Sequence, residues 1–277
     1  MIAIHQVAVA LALSALVATA AFGAERGHAK RIRWLFNGAG VGALAANPAS
    51  SAILAGARPY VMRGPRVSGA PVEWDAIAFV SFAKFDAMRE GLRNGKVGPE
   101  IRGVMYDYEK WQFTPQEEQA NPAPYIKKAA DLVHARGLLF LTAPALNLVS
   151  VMAPQSGVRK YETFLRLGLA AEAARYADVF DIQAQGFERN PELYADFVRR
   201  AAEQARAANP KVEVLAGLST QPSGQEVTAD EILNCIAATR DVVDGYWFNI
   251  PQPSEYCPRC REFRPDIAVE VLRRVSG

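Results

Sequence analysis

The strongest constraint on the fold is a strict alternation of short apolar runs with longer stretches of helical periodicity. About eight such runs predict strands, and helices are predicted after all of them except the second, which a Gly/Pro-rich loop follows. This order is typical of a parallel sheet covered by crossover helices. With 277 residues, the chain fits an α/β fold of the (β/α)8 TIM-barrel type better than a doubly wound sheet. The predicted strands are 34–37, 59–62, 77–82, 101–108, 138–142, 179–184, 212–218 and 245–250.

The predicted helices follow from apolar spacing and from end signals. Thr114 is predicted to cap one helix start and Thr228 another, while Gly137 is predicted to end a helix. No sequence repeat or linker interrupts the pattern, so one domain is predicted over residues 25–277. The predicted helices are an Ala-rich one ending near residue 55, then 85–94, 123–136, 161–176, 191–208, 229–239 and 265–275.

The N-terminus has the composition of an export signal. Residues 1–24 contain no Lys, Arg, Asp or Glu, and the apolar run 7–21 ends in small residues. This predicts a signal peptide over residues 1–24, cleaved between Ala20 and Ala24, and a secreted or periplasmic protein. An uncleaved anchor is the alternative, although the run is short for a membrane span. After processing we expect a monomer without membrane contact.

Charge and histidine content exclude several functional classes. The 31 basic and 29 acidic residues nearly balance, which argues against nucleic acid or an anionic membrane as a partner. The three histidines lie far apart in sequence, so neither a His-based metal site nor a catalytic triad is predicted. We expect no cofactor.

The three cysteines suggest a structural disulfide. Cys257 and Cys260 follow the last predicted strand of a chain much larger than a thioredoxin unit, and only Cys235 could join them as a metal ligand. In an oxidising compartment a disulfide between Cys257 and Cys260 is favoured, with Cys235 paired to either one as the alternative.

Two carboxylates mark the end of the fourth predicted strand. Asp107 and Glu109 are spaced i, i+2, so both should project from the same face. In a barrel, polar residues at the C-terminal ends of strands form the site. A pair of carboxylates there is the minimal equipment for acid/base chemistry on a glycosidic bond. Other polar residues near predicted strand ends are Asn37, Ser81, Lys84, Thr142, Asn147, Gln183, Gln185, Ser219, Gln221, Trp247 and Asn249.

The segment from Met105 to Glu109 resembles the D-x-D-x-E signature of family 18 glycoside hydrolases, the chitinase-type barrels. The resemblance implies that Glu109 is the general acid and Asp107 the carboxylate beside it. It also implies that the substrate's acetamido group acts as the nucleophile. Met105 departs from the pattern, since the family has its first Asp there. Muramidase-like and polygalactosaminidase-like barrels also use acids at strand ends.

The family's polar residues on strand six and its Trp on strand eight correspond to Gln183, Gln185 and Trp247. The resemblance thus predicts a secreted glycoside hydrolase with a carbohydrate substrate, namely an amino-sugar-containing polysaccharide. Trp111 and Trp247 would stack on a sugar face, with Tyr106 or Tyr108 nearby. The polar substrate contacts would come from Asn37, Gln183, Gln185 and Asn249.

Two alternatives stay open. The Met105 replacement motivates a non-catalytic carbohydrate-binding barrel. Asp107 and Glu109 could also be structural acids paired with Lys84, Lys110 or an arginine. Asp181 is a further candidate acid on the sixth strand.

Overall fold

Eight parallel strands close into a barrel in chain order, each paired with its sequence neighbours and β8 paired with β1. The computed structural model describes residues 31–63, 74–157, 159–255 and 257–276, and the predicted signal peptide lies outside them. The closed parallel barrel confirms the predicted fold class. The strands are β1 Arg33–Phe36, β2 Tyr60–Arg63, β3 Ile77–Phe82, β4 Ile101–Tyr106, β5 Leu139–Thr142, β6 Val179–Ile182, β7 Glu213–Ser219 and β8 Gly245–Asn249.

Helices separate the strands along the described chain, and their apolar residues pack against the outer face of the barrel. Most of the connection between β2 and β3 lies outside the described residues. The described helices are α1 Gly38–Ala46, α2 Pro48–Ala55, α3 Phe85–Arg93, α4 Gln116–Ala120, α5 Ala123–His134, α6 Val149–Met152, α7 Lys160–Arg166, α8 Leu169–Ala174, α9 Pro191–Ala208, α10 Ala229–Thr239 and α11 Pro265–Ser276.

Two of the predicted helices are each divided into two. The Ala-rich helix ends at Ala46, and the Asn47 side chain caps a new helix by accepting hydrogen bonds from Ala49 N and Ser50 N. Pro48 occupies the first position of that helix, where no backbone donor is needed. The predicted helix 161–176 breaks at Gly168, whose φ of 67° lies in the left-handed region that favours glycine.

The strand pleat separates two apolar cores. Met105, Leu141 and Val179 lie in register on β4, β5 and β6 and pack inside the barrel. Residues of the opposite parity, such as Val104 and Phe180, pack beneath the helices. Because side chains alternate along a strand, this register fixes which of the later residues face the barrel axis.

Two strands end two residues earlier than predicted. β4 ends at Tyr106 and β6 at Ile182. Asp107, Glu109 and Gln183 therefore lie in the loops just beyond the strands. Because loop residues are not held by the hydrogen bonds between strands, their side chains can point across the mouth of the barrel.

The predicted disulfide between Cys257 and Cys260 is present, and Cys235 is buried with a free thiol. Among the described helices, none is long and apolar enough to span a bilayer.

Candidate functional site

A cleft of about 580 Å³ opens at the C-terminal end of the barrel. This is the end at which barrel sites form. Its lining combines one carboxylate with several amides drawn from the loops after six different strands. The polar residues that line it include Asn37, Glu109, Asn147, Gln183, Gln185, Ser219, Gln221, Asn249 and Gln252.

Glu109 is half-buried and lines the cleft. Its Oε2 accepts a hydrogen bond from Asn147 Nδ2 at 3.4 Å. Burial raises the pKa of this carboxyl, while hydrogen bonds from Asn147 and Gln183 act in the opposite direction. A carboxyl with a raised pKa that faces a cleft can hold a proton and donate it, as a general acid must.

Asn147 holds the Glu109 loop from across the barrel mouth. Its Oδ1 accepts from Lys110 N at 2.8 Å, while its Nδ2 donates to the Glu109 carboxylate. The Lys110 ammonium donates to Ser150 Oγ, whose hydroxyl in turn donates to Asn147 O. Lys110 therefore supports this arrangement and does not pair with Asp107 or Glu109.

The Thr114 hydroxyl also holds the loop that carries Glu109. It donates to Ala83 O at 2.8 Å, and it accepts from Glu109 N at 3.2 Å and from the Trp111 indole at 2.7 Å. The prediction that Thr114 caps a helix is wrong, because α4 begins at Gln116 without a side-chain cap. A hydroxyl that appeared to be a helix signal instead positions the backbone of Glu109.

Asp107 lies on the inward face, one pleat before Glu109. Its Oδ1 accepts from Gln183 Nε2 at 3.3 Å, and the same amide donates to Ala143 O at 2.9 Å. Burial, followed by the negative charges of Glu109 and Asp181, raises the pKa of Asp107 well above its usual range. The side-chain amide of Gln183, in the loop after β6, thus contacts Asp107 in the loop after β4. It spans the intervening strand β5.

Asp181 is fully buried within β6 and shares the parity of inward-facing Val179. Neither of its carboxylate oxygens has a hydrogen-bond partner among the described residues. Burial alone raises its pKa well above the usual range. Asp107, Glu109 and Asp181 therefore share one property. Within the described part of the chain, no basic side chain lowers the pKa of any of them.

Tyr106 and Tyr108 do not contact the cleft, so the suggestion that either lies beside the sugar is wrong. Both are buried in the outer core, with ring centroids 4.7 Å apart. The Tyr106 hydroxyl donates to buried Glu118, which also accepts from Phe85 N. The alternating parity that brings Asp107 and Glu109 inward turns these two rings outward.

The two predicted tryptophans differ from the amides in their placement. Neither Trp111 nor Trp247 is among the described residues that line the cleft. Trp111 is half-buried and packs edge-on against Phe113, while Trp247 packs in the interior core of the barrel. Their contact with a sugar stays a prediction.

The four predicted amides all line the cleft. Asn37 Nδ2 donates to Asn249 Oδ1 at 2.6 Å, which joins the loops after β1 and β8. The Gln185 Oε1 atom lies against the α-carbon of Gly217, where a Cβ would occupy its place. Gly217 is therefore needed for this position of Gln185.

Gln221 and the disulfide loop form the opposite wall. Gln221 Oε1 accepts from Arg261 N at 3.2 Å, and its amide donates to Glu262 O. Cys257 lines the cleft directly. The β7 loop thus holds the disulfide-closed segment in place.

Sequence reasoning missed the roles of Asn147 and Thr114 in holding the Glu109 loop. Only Asn147 had a usable signal, since it follows the fifth strand. Within the described residues, no group of three or more His, Cys, Asp or Glu side chains is arranged to hold a metal ion.

No family model and no curated protein matches the sequence. Among solved structures, a GH18 chitinase from Pseudoalteromonas aurantia is similar, with 11% identity, coverage of 88% of this chain and 98% of that chain, and a TM-score of 0.52. A chitinase from Chromobacterium violaceum is 16% identical over 68% of each chain, with a TM-score of 0.40. Thiamine phosphate pyrophosphorylase from Pyrococcus furiosus is 15% identical over 90% of this chain and 98% of that chain, with a TM-score of 0.42. At such identities the similarity concerns the fold alone: the chain is a TIM-type barrel of the kind found in a GH18 chitinase.

Proposed function

We propose that the protein is a secreted glycoside hydrolase that cleaves an amino-sugar-containing polysaccharide. The observation that carries the proposal is the environment of Glu109. Its carboxyl lines an open cleft, accepts hydrogen bonds only from amides among the described residues, and has a pKa raised by burial. A carboxyl in this state is suited to donate a proton to a glycosidic oxygen.

In the proposed mechanism, protonated Glu109 transfers its proton to the leaving oxygen as the glycosidic bond breaks. Asp107, on the same inward face, orients the substrate's acetamido group or stabilises the positive charge that develops at the anomeric carbon. Glu109, now ionised, then removes a proton from the water that attacks the anomeric carbon. Glu109 thereby regains its proton, as general acid/base catalysis requires.

The amides supply the substrate contacts in this proposal. Asn37, Asn249, Gln183 and Gln185 line the cleft and offer both donors and acceptors to sugar hydroxyls. Such a cleft suits a polar sugar more than an apolar ligand. Trp111 and Trp247 remain candidate stacking residues that would have to act at the edge of the cleft or after rearrangement.

Export to the periplasm or the cell exterior fits the proposed activity. The disulfide between Cys257 and Cys260 is compatible with an oxidising compartment. Amino-sugar polysaccharides are components of cell walls and exoskeletons, so an exported enzyme would meet its substrate there.

The test is release of reducing ends from chitin, peptidoglycan and galactosaminoglycan by the purified mature protein. We expect at least one of these to be cleaved by the wild type and not by Glu109→Gln. Binding without cleavage, unchanged by Glu109→Gln, would instead support the carbohydrate-binding barrel suggested by Met105. Neither binding nor cleavage of any of the three would contradict both functions.

A further inference from the structure

A lysine lines the cleft beside the candidate acid. Of the described residues that line the cleft, two carry a charged group, Lys160 and Glu109. Lys160 is exposed at the start of α7, in the connection between β5 and β6. The same connection carries Asn147, which donates to Glu109. Lys160 therefore belongs to the wall of the cleft that also holds the candidate acid.

The residues that follow Lys160 fix the start of α7 at this wall. Glu162 accepts from the Arg200 guanidinium of α9 through both oxygens, at 2.9 and 2.8 Å. The Tyr161 ring packs edge-on against Phe187, with centroids 5.9 Å apart, and Phe187 itself lines the cleft after β6. The backbone next to Lys160 is thus held against two elements, while its own side chain is exposed to the cleft.

The Lys160 ammonium group has no acidic partner within the described part of the chain. Glu162, the nearest acid in sequence, is paired with Arg200. Glu109 lines the same cleft, but its raised pKa is explained by burial and by hydrogen bonds from two amides, with no contribution from Lys160. The positive charge of Lys160 is therefore available to a ligand.

The charge balance of the cleft favours an anionic ligand. Glu109 must be protonated, and therefore neutral, to act as a general acid, and burial favours that form. The other polar groups of the described lining are amides and hydroxyls, which bind sugar hydroxyls and carry no charge. Lys160 then supplies the net charge of the cleft, and an ammonium group binds a carboxylate through charge-assisted hydrogen bonds.

We propose that Lys160 is a specificity-determining residue that binds a carboxylate of the substrate, so that the preferred glycan is an acidic amino-sugar polymer. The carboxylate would belong to one of the sugars that occupy the cleft. The lactyl ether of muramic acid and the acid group of a uronic acid both supply this chemistry, whereas neutral chitin does not. The inference about the substrate rests on the proposed function, but the binding of acidic glycans through Lys160 does not.

The experiment measures the binding of matched glycans to the mature protein carrying Glu109→Gln, so that no strand is cleaved during the titration. The probes are a peptide-free muramic acid strand from peptidoglycan and the same strand with its carboxyls converted to amides. The ratio of the two affinities reports on the carboxylate alone. We expect a ratio of about five in favour of the acidic strand, as for an ion pair near solvent, and a decrease with added salt.

Two substitutions test whether Lys160 causes this preference. Lys160→Met removes the charge at similar chain length and should bring the ratio to about one, while Lys160→Glu should bring it below one. Lys211→Met is the matched control, because Lys211 is also exposed but precedes β7, at the opposite end of the barrel. A ratio that Lys160→Met leaves unchanged, or that Lys211→Met changes equally, would overturn the proposal.

Turnover with Glu109 restored separates this inference from the proposed function. The added substrates are a chitin oligosaccharide and an oligosaccharide of alternating glucuronic acid and N-acetylglucosamine. Cleavage of the muramic acid strand alone would assign the carboxylate to muramic acid, and cleavage of the glucuronic acid strand alone to a uronic acid. In either case, Lys160→Met should raise KM about fivefold with kcat little changed.

The two proposals can fail separately. If Lys160 determines the binding ratio but no strand is cleaved, the hydrolase proposal is wrong for these substrates and the binding of acidic glycans through Lys160 stands. If chitin and the amidated strand are bound and cleaved in preference to both acidic strands, the inference about Lys160 is wrong and the hydrolase proposal is supported.

Discussion

The acids at the two ends of the barrel have opposite surroundings. At the N-terminal end, Glu213 accepts a hydrogen bond from Arg33 Nε at 3.1 Å and another from the Tyr60 hydroxyl at 2.7 Å. The Arg33 guanidinium also lies 4.9 Å from the centre of the Tyr60 ring. Charge, hydrogen bonds and packing around this carboxylate are all accounted for.

At the C-terminal end, the acids meet amides and other acids. Glu109 and Asp107 accept from Asn147 and Gln183, and Asp181 has no hydrogen-bond partner among the described residues. The hypothesis that Lys84 or Lys110 neutralises these acids finds no support in the described contacts, since Lys110 binds Ser150. Burial without a cation raises the pKa of all three.

The contrast separates an acid that contributes to stability from acids that are unfavourable to ionise. A structural acid is stabilised by an opposite charge, as at Glu213. Acids with raised pKa values are costly to ionise, and their clustering beside a cleft is typical of sites that move protons. The comparison can be tested by changing one end at a time.

The largest effect is expected from Glu109→Gln. The amide preserves shape and can still bind Asn147, but it cannot donate a proton to the glycosidic oxygen. We expect hydrolysis of the substrate to fall by about 10²–10⁴-fold, with binding retained. The measurement is reducing-end release and glycan affinity for the same preparations.

Glu118→Gln is the matched control for that change. Glu118 is another buried glutamate of the same region, but it binds Phe85 N and Tyr106 outside the cleft. We expect this variant to keep its activity. Equal losses in both variants would show that the Glu109 effect is structural.

Asp107→Asn should have the next largest effect. Removing the charge that would stabilise the transition state is expected to lower kcat by about 10²-fold, with little change in KM. An Asn can still be hydrogen-bonded by Gln183, with its carbonyl as acceptor. A variant with raised KM and unchanged kcat would assign Asp107 to substrate binding alone.

Asn147→Ala tests how an amide hydrogen bond affects the pKa of Glu109. Asn147 donates to the ionised form of Glu109 and so lowers its pKa; its removal should raise that pKa. A general acid acts while protonated, so the rate falls as pH rises through its pKa. The alkaline limb of the pH–rate profile should therefore move to higher pH, with kcat at the optimum reduced up to about tenfold by the looser loop.

Asn94→Ala serves as the control for this change, because Asn94 is exposed at the end of α3. Its pH–rate profile should match the wild type. A shift of the Asn147→Ala profile to lower pH would contradict the assignment of Glu109 as the acid.

The sequence was sufficient wherever local signals decide the structure. The strand Ile77–Phe82 and the helices Pro191–Ala208 and Ala229–Thr239 have the bounds that were predicted. Each helix has an explicit start signal: the Asn190 side chain accepts from Leu193 N before Pro191, and Thr228 forms a capping box with Glu231. Such contacts span three residues and can be identified in a single sequence.

The sequence was insufficient where distant segments decide the structure. Asn147 reaches Glu109 across 38 residues, and Gln183 reaches Asp107 across 76. The wrong assignment of Thr114 has the same origin, because its hydroxyl binds Ala83 O on a neighbouring loop in place of a helix terminus. The acids of the site could be identified from a strand end, but their partners depend on the closed barrel.

The smallest effect on activity is expected from Arg33→Ala, at the opposite end of the barrel. Among the described residues, this change leaves Glu213 with Tyr60 as its remaining side-chain hydrogen-bond partner. We expect the free energy of unfolding to fall by about 1–3 kcal/mol. Denaturant unfolding measures that loss, while kcat and the pH–rate profile should stay those of the wild type because no described acid of the cleft contacts Arg33. A change in the pH–rate profile without loss of stability would mean that the charge of Arg33 affects the pKa values of the acids at the opposite end of the barrel. The distinction between a structural end and a chemical end would then be wrong.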